Sequence, residues 1–66
     1  MMPRYQCQPN DISAGGRERI ITAPRPFHAA KRYRKATGYR GKVLVIPVAK
    51  IAGTFYPRTD EKPEVL

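Results

Sequence analysis

The sequence has few of the residues that enzymes and metal proteins use for chemistry. Its 66 residues include one cysteine, Cys7, one histidine, His28, and no tryptophan. A single thiol cannot form a disulfide within the chain, and a structural zinc site needs about four Cys or His ligands. Neither a Gly-rich phosphate loop nor an acidic calcium loop is present. We therefore expect no metal, no cofactor and no enzymatic activity.

Long apolar segments are also lacking. The longest one covers residues 43–49 and is interrupted by Pro47, whereas a membrane-spanning helix needs about 20 apolar residues. The first residues lack the apolar stretch of a secretion signal. We expect a cytoplasmic protein with no membrane partner. A chain this short has a marginal core, so a homodimer or a bound partner would add stability, although a lone monomer stays equally open.

Acidic residues are scarce where basic residues are concentrated. Residues 17–42, which we call the cationic segment, hold nine Lys or Arg residues and one acid, Glu18. The net charge of +8 therefore lies entirely in this segment, because the remaining four bases and four acids balance. Charge concentrated in this way attracts polyanions more strongly than the same charge spread evenly.

Composition divides the chain into three parts. Residues 1–16 contain Pro3, Pro9 and the pair Gly15-Gly16, which predicts a flexible, irregular N-terminal arm. Residues 6–8 could add at most a short edge strand. Residues 17–58 are predicted to form a small basic domain, and residues 59–66 a polar C-terminal tail.

Within residues 17–58 the pattern predicts an α+β fold, with a single short helix packed on a small antiparallel sheet in the order β-α-β-β. Strands are predicted at residues 19–22, 42–48 and 54–56. Pro47 is expected to mark a strand end, a bulge or an edge. The helix is predicted at residues 27–37, with Pro26 in its first turn and Gly38 closing it. The large side chains expected in the core are Ile20, Phe27, Tyr33, Leu44, Ile46 and Phe55.

The predicted helix has two different faces. At 100° per residue, Ala29, Ala30 and Tyr33 share an apolar arc with Ala36 and Thr37, and the basic side chains lie opposite. Solvated helices usually mix charges of both signs, but this face has no acid. Tyr39 lies among the charges, where it could stack on a base. The predicted binding set is Arg25, Lys31, Arg32, Arg34, Lys35, Tyr39, Arg40 and Lys42.

The pattern predicts a polyanionic or acidic partner and leaves three kinds of function open. The first is binding to the DNA or RNA backbone with little sequence preference, since no base-reading motif is present. The second is docking on an acidic protein or nucleoprotein complex. The third is a structural peptide associated with ribosomes, which the strand at residues 42–48 disfavours because it implies a core.

Several short motifs resemble one known family. Residues 21–23 read Ile-x-Ala, residues 30–32 read Ala-Lys-Arg, and residues 41–46 read Gly-x-Val-Leu-x-Ile, followed by Gly53, Tyr56, Asp60 and Lys62. This pattern is similar to that of very small phage-encoded anti-CRISPR proteins of the type I-F class. The resemblance covers about forty residues. Pro24, Pro26 and Pro47 depart from it, as does Pro57, which shortens the last strand.

The resemblance implies a function as well as a fold. It implies that a short helix containing Ala-Lys-Arg packs on an antiparallel sheet. It also implies that the protein inhibits a host CRISPR surveillance complex by docking on its backbone subunits and blocking access of target DNA. The resemblance carries over only Lys31 and Arg32 as contact residues.

Overall fold

The computed structural model describes residues 2–11 and 17–66. Along the chain these residues form β1 (Arg4–Pro9), β2 (Arg19–Thr22), α1 (Pro26–Thr37), β3 (Val43–Ile51), β4 (Thr54–Pro57) and β5 (Glu64–Val65). The strands form one antiparallel sheet in the order β2-β1-β3-β4, and β5 also pairs with β3. The predicted α+β class is therefore confirmed, with one short helix on an antiparallel sheet.

The strand β1 lies inside the sheet, where we had predicted an irregular arm. It pairs with β2 on one side and with β3 on the other, so that Tyr5 lies opposite both Ile21 and Pro47. Its residues alternate between half-buried and buried, which is the period of a strand. The prediction was wrong for Arg4–Pro9, because we gave Pro3 and Pro9 more weight than the alternation between them. The predicted flexibility of residues 12–16 concerns a segment outside the described residues.

The strand β3 is central, and it continues through Pro47. The backbone N–H and C=O of one residue point to the same side of a strand, and the Pro47 carbonyl accepts a hydrogen bond from the Arg58 N–H at 2.8 Å. The missing N–H of Pro47 therefore points toward the end of β4 and leaves the β1–β3 ladder intact. Of our three alternatives for Pro47, a strand end and a bulge were wrong, because β3 continues to Ile51. The third, an edge, holds locally, because β5 pairs with β3 only at Leu44 and Val45 and β4 only from Val48 onward.

The last residues also belong to the sheet, although we had predicted a polar tail. Val65 lies opposite Leu44, beside the first half of β3, while β4 pairs with the second half. The main-chain groups of Val43 and Leu66 exchange two hydrogen bonds of 2.8 Å. Two residues carry too little pattern to predict a strand, and it is the pairing with β3 that orders them.

The helix α1 begins and ends where the sequence predicts. Pro26 lies in the first turn, and Gly38 adopts a left-handed conformation with φ of 77° after the last turn. The Gly38 N–H donates to the Arg34 carbonyl at 2.8 Å. The helix buries Ala29, Ala30 and Tyr33, and the two alanines allow it to approach the sheet closely.

The core lies between α1 and one face of the sheet. Its buried members are Tyr5, Cys7, Ala23, Ala29, Ala30, Tyr33, Val43 and Val45. Of the six large residues predicted for the core, only Tyr33 belongs to it. Phe27 and Ile20 are 62% and 37% exposed. The side chains of Leu44, Ile46 and Phe55 are half-buried.

The other face of the sheet is not covered by the helix, and we call it the open face. Side chains alternate along a strand, so Gln6 and Gln8 point away from α1, as do Leu44 and Ile46. A 12-residue helix can cover only one face. Residues 43–48 are apolar on both faces of the strand, so their sequence could not show which face the helix covers.

Candidate nucleic-acid interface

Lys31 and Lys35 lie on the outer side of α1, opposite its buried residues. Both are exposed, and they lie one turn apart, so their side chains are neighbours on the helix surface. Like charges at this spacing destabilise a helix by about 0.2–0.5 kcal/mol. A bound anion would relieve this repulsion.

Arg32 and Arg34 flank this outer side, and both donate hydrogen bonds to main-chain carbonyls. Arg32 donates to the Thr22 carbonyl at the end of β2. Arg34 donates to the Gly41 carbonyl through Nε at 3.3 Å and Nη2 at 3.1 Å, and Nη2 also donates to the Leu66 carbonyl. These contacts hold the guanidinium groups in place.

The other predicted cations lie near the two ends of α1. Arg25 is the N-cap residue; it is exposed and makes no side-chain capping hydrogen bond. The first turn contains no acidic residue, so no carboxylate offsets the positive end of the helix dipole. Arg40 and Lys42 follow the C-terminal end of the helix, and both are exposed.

Two further cations of the cationic segment extend the positive charge toward β2. Arg17 and Arg19 are exposed, and the Arg17 carbonyl accepts a hydrogen bond of 2.7 Å from the Tyr33 hydroxyl. This bond ties the chain before β2 to the third turn of α1. The helix-side surface, as we call this region, thus comprises the exposed cations of α1, of its two ends and of the start of β2.

The Asp and Glu side chains of residues 17–66 form no ion pair with the helix-side surface. Within these residues, the ion pairs join Arg58 to Asp60 at 3.6 Å and to Glu61 at 3.0 Å. Arg58 belongs to the chain after β4 and lies outside the cationic segment. These ion pairs therefore leave the cations of residues 17–42 unpaired with Asp60 and Glu61.

Tyr39 uses its ring for internal packing. The ring is half-buried and makes an edge-to-face contact with Tyr33, with centroids 6.3 Å apart. It also lies over Gly41, where an added Cβ would be 2.7 Å from the Tyr39 Cζ. The predicted stacking of Tyr39 on a base would have to compete with these contacts.

Phe27 is an exposed aromatic residue that the sequence prediction placed in the core. It lies in the first turn of α1, and its ring makes an edge-to-face contact with His28, with centroids 5.7 Å apart and planes at 82°. On the helical wheel Phe27 sits at the seam between the two faces, so its exposure was within reach of the sequence. We assigned it to the core because it is large and apolar.

Cys7 and His28 lie on opposite sides of the helix layer. Cys7 is fully buried in β1, and burial raises the pKa of its thiol to about 11. His28 is exposed on α1. Across the described part of the chain, no three Cys, His, Asp or Glu side chains are grouped closely enough to hold a metal ion. Within the same residues, no helix has the length and apolar character needed to cross a membrane.

No protein-family model matches the chain, and neither a curated protein nor a solved structure is significantly similar to it.

Proposed function

We propose that this chain is a small, non-enzymatic protein that binds the backbone of DNA or RNA through the helix-side surface. The observation that carries the proposal is that exposed Lys and Arg side chains of residues 17–42 form no ion pair with the Asp and Glu side chains of residues 17–66. Binding would release the counterions of the nucleic acid, which is the main source of affinity in backbone recognition.

The proposed binding has little sequence specificity. Lys and Arg contacts to phosphate fix the position of a protein but do not read the sequence, which requires contacts to base edges in a groove. The helix α1 presents Lys31 and Lys35 on its outer side, and long flexible lysine side chains act as point charges. The proposed place of action is the cytoplasm, where nucleic acids are accessible.

A charge-reversal experiment with a matched control tests the proposal. Lys31→Glu with Lys35→Glu lowers the net charge from +8 to +4, and so does the control, Lys50→Glu with Lys62→Glu. All four lysines are exposed, so both variants should fold. We expect the helix variant to bind a duplex at least about tenfold more weakly than the wild type, and the control to lose less than about threefold.

The result is measured by fluorescence anisotropy with a labelled duplex at low salt, and circular dichroism checks the fold. An equal loss of affinity in the two variants would mean that net charge alone governs binding. The helix-side surface would then not be the binding site. Absence of binding by the wild-type protein to DNA and to RNA would refute the function itself.

The open face favours a second candidate, an inhibitor that docks on a host nucleoprotein complex and blocks access of nucleic acid. Leu44 and Ile46 are half-buried there and Val65 is 47% exposed, so the face offers apolar area that backbone binding does not use. This is the phage-type role implied by the resemblance to anti-CRISPR proteins, and it would act in the host cytoplasm. A stoichiometric complex that survives nuclease and is lost in Ile46→Lys would favour it.

A further inference from the structure

Among the described residues, Phe27 is the most exposed of the large apolar side chains. Its exposed fraction is 62%, and on the helical wheel it lies at the seam between the buried face and the outer face. Scattered apolar residues on a surface are normal and need no explanation. Phe27, however, has charged residues near it in the sequence.

Two positively charged residues lie near Phe27 along the chain. Arg25 precedes it by two residues, and Lys31 follows it by four, so Phe27 and Lys31 are neighbours one turn apart. Lys35 continues the same ridge by another turn. Phe27, Lys31 and Lys35 therefore form a line in which an aromatic ring is followed by two cations, all of them exposed.

His28 helps to hold the ring of Phe27. The two rings meet edge to face at a centroid distance of 5.7 Å, a geometry that aromatic pairs prefer. An edge-to-face contact can cover at most one face of a ring, so His28 does not enclose the largely exposed ring of Phe27.

We propose that Phe27 is a stacking site for an unpaired base of single-stranded nucleic acid, with the neighbouring phosphates held by Arg25 and Lys31. This inference rests on the proposed function and adds to backbone binding a contact that only a single strand can make, because bases in a duplex are already stacked on one another. Every base has an aromatic face, so such a site tolerates any sequence. The charge around Phe27 suits a phosphate-linked base better than an apolar peptide, which would bring no anion to Arg25 or Lys31.

The test compares two single strands that carry the same charge. One is a 5′-labelled oligothymidylate of about 15 nucleotides, and the other has the same length but consists of abasic sites, so it has phosphates without bases. Affinities for the wild type, Phe27→Ala and Phe27→Tyr are measured by fluorescence anisotropy at one salt concentration. Since Phe27 is largely exposed, neither substitution should unfold the protein.

We expect the wild type to bind the strand with bases about 5- to 100-fold more tightly than the abasic strand. Phe27→Ala should lose most of this preference while its affinity for the abasic strand stays unchanged, and Phe27→Tyr should keep the preference. Equal affinity of the wild type for both strands would overturn the stacking site and leave the proposed function standing. Absence of binding to either strand would also overturn the stacking site, and only absence of binding to duplex DNA and to RNA as well would overturn the proposed function.

Discussion

At the scale of single residues, three buried side chains have pKa values above their ordinary values. Burial raises the pKa of Cys7, Tyr5 and Tyr33, and the charge of Glu61 adds to the effect at Tyr5. The neutral form of each group is therefore favoured in the folded protein. Its stabilising effect is present below the pKa of the unfolded chain and is lost as the pH rises through the folded pKa.

We expect the free energy of unfolding to fall between about pH 9 and pH 11, because the Cys7 thiol ionises near pH 9 in the unfolded chain and near pH 11 in the folded one. The thiol accounts for at most roughly 2–3 kcal/mol of this loss. The measurement is a urea denaturation series across this pH range, with Cys7→Ala as the control. The decline should be shallower in Cys7→Ala, and an identical decline in both proteins would contradict the assignment to the thiol.

At the scale of structural elements, Arg34 links the helix to two other parts of the chain. Its guanidinium group donates to the carbonyls of Gly41 and Leu66, so one side chain joins α1 to the start of β3 and to the residue after β5. The sequence analysis assigned Arg34 only to binding. The structure gives it a stabilising contact as well.

We expect Arg34→Ala to lower the free energy of unfolding by about 1–3 kcal/mol, the range for hydrogen bonds from a charged donor. Lys35, the next residue, is exposed and serves as the control, because Lys35→Ala should change stability by less than about 0.5 kcal/mol. Urea denaturation of the two variants at neutral pH makes the comparison. Similar stability of both would show that the carbonyl contacts of Arg34 contribute nothing.

The elements also show what could be predicted from the sequence. The helix α1 was predicted well because its signals are local: a proline in the first turn, buried residues at helical spacing, and Gly38 at the end. The strands β1 and β5 were missed because each is ordered by pairing with β3, which is distant in sequence.

Some features of the candidate site could likewise be predicted from the sequence, and others could not. The concentration of charge in residues 17–42 is visible in the sequence. The carbonyls that hold Arg32 and Arg34 are not, because they belong to other elements and only the fold brings them near. The exposure of Phe27 was within reach of the sequence, because the residue sits at the seam of the helical wheel, but its size and apolar character led to the assignment to the core.

At the scale of the whole molecule, size and charge set the expected mode of binding. The longest dimension of the protein is 30 Å, which is close to the ~34 Å length of one duplex turn. A single copy would therefore contact phosphates over about one turn. A contact of this size involves few phosphates, and their number can be obtained from the dependence of the binding constant on salt concentration.

We expect the logarithm of the binding constant for a duplex to fall with the logarithm of salt concentration with a slope of about −5, as for ~5 or 6 phosphate contacts. The slope is obtained from anisotropy titrations at several salt concentrations. The variant with Lys31→Glu and Lys35→Glu should have a slope about 2 units shallower. Tight binding that persists at ~0.5 M salt would contradict an electrostatic mechanism.

The position of β1 between β2 and β3 has a consequence for biosynthesis. The strand β1 is synthesised before its partner β3, which begins at Val43, so the β1–β3 ladder can close only after β3 has been translated. Until then the nascent chain can form α1 and the pairing of β1 with β2, whose residues are closer in sequence. Completion of the sheet should accordingly be slower than formation of α1, because it requires closing a long loop between distant segments.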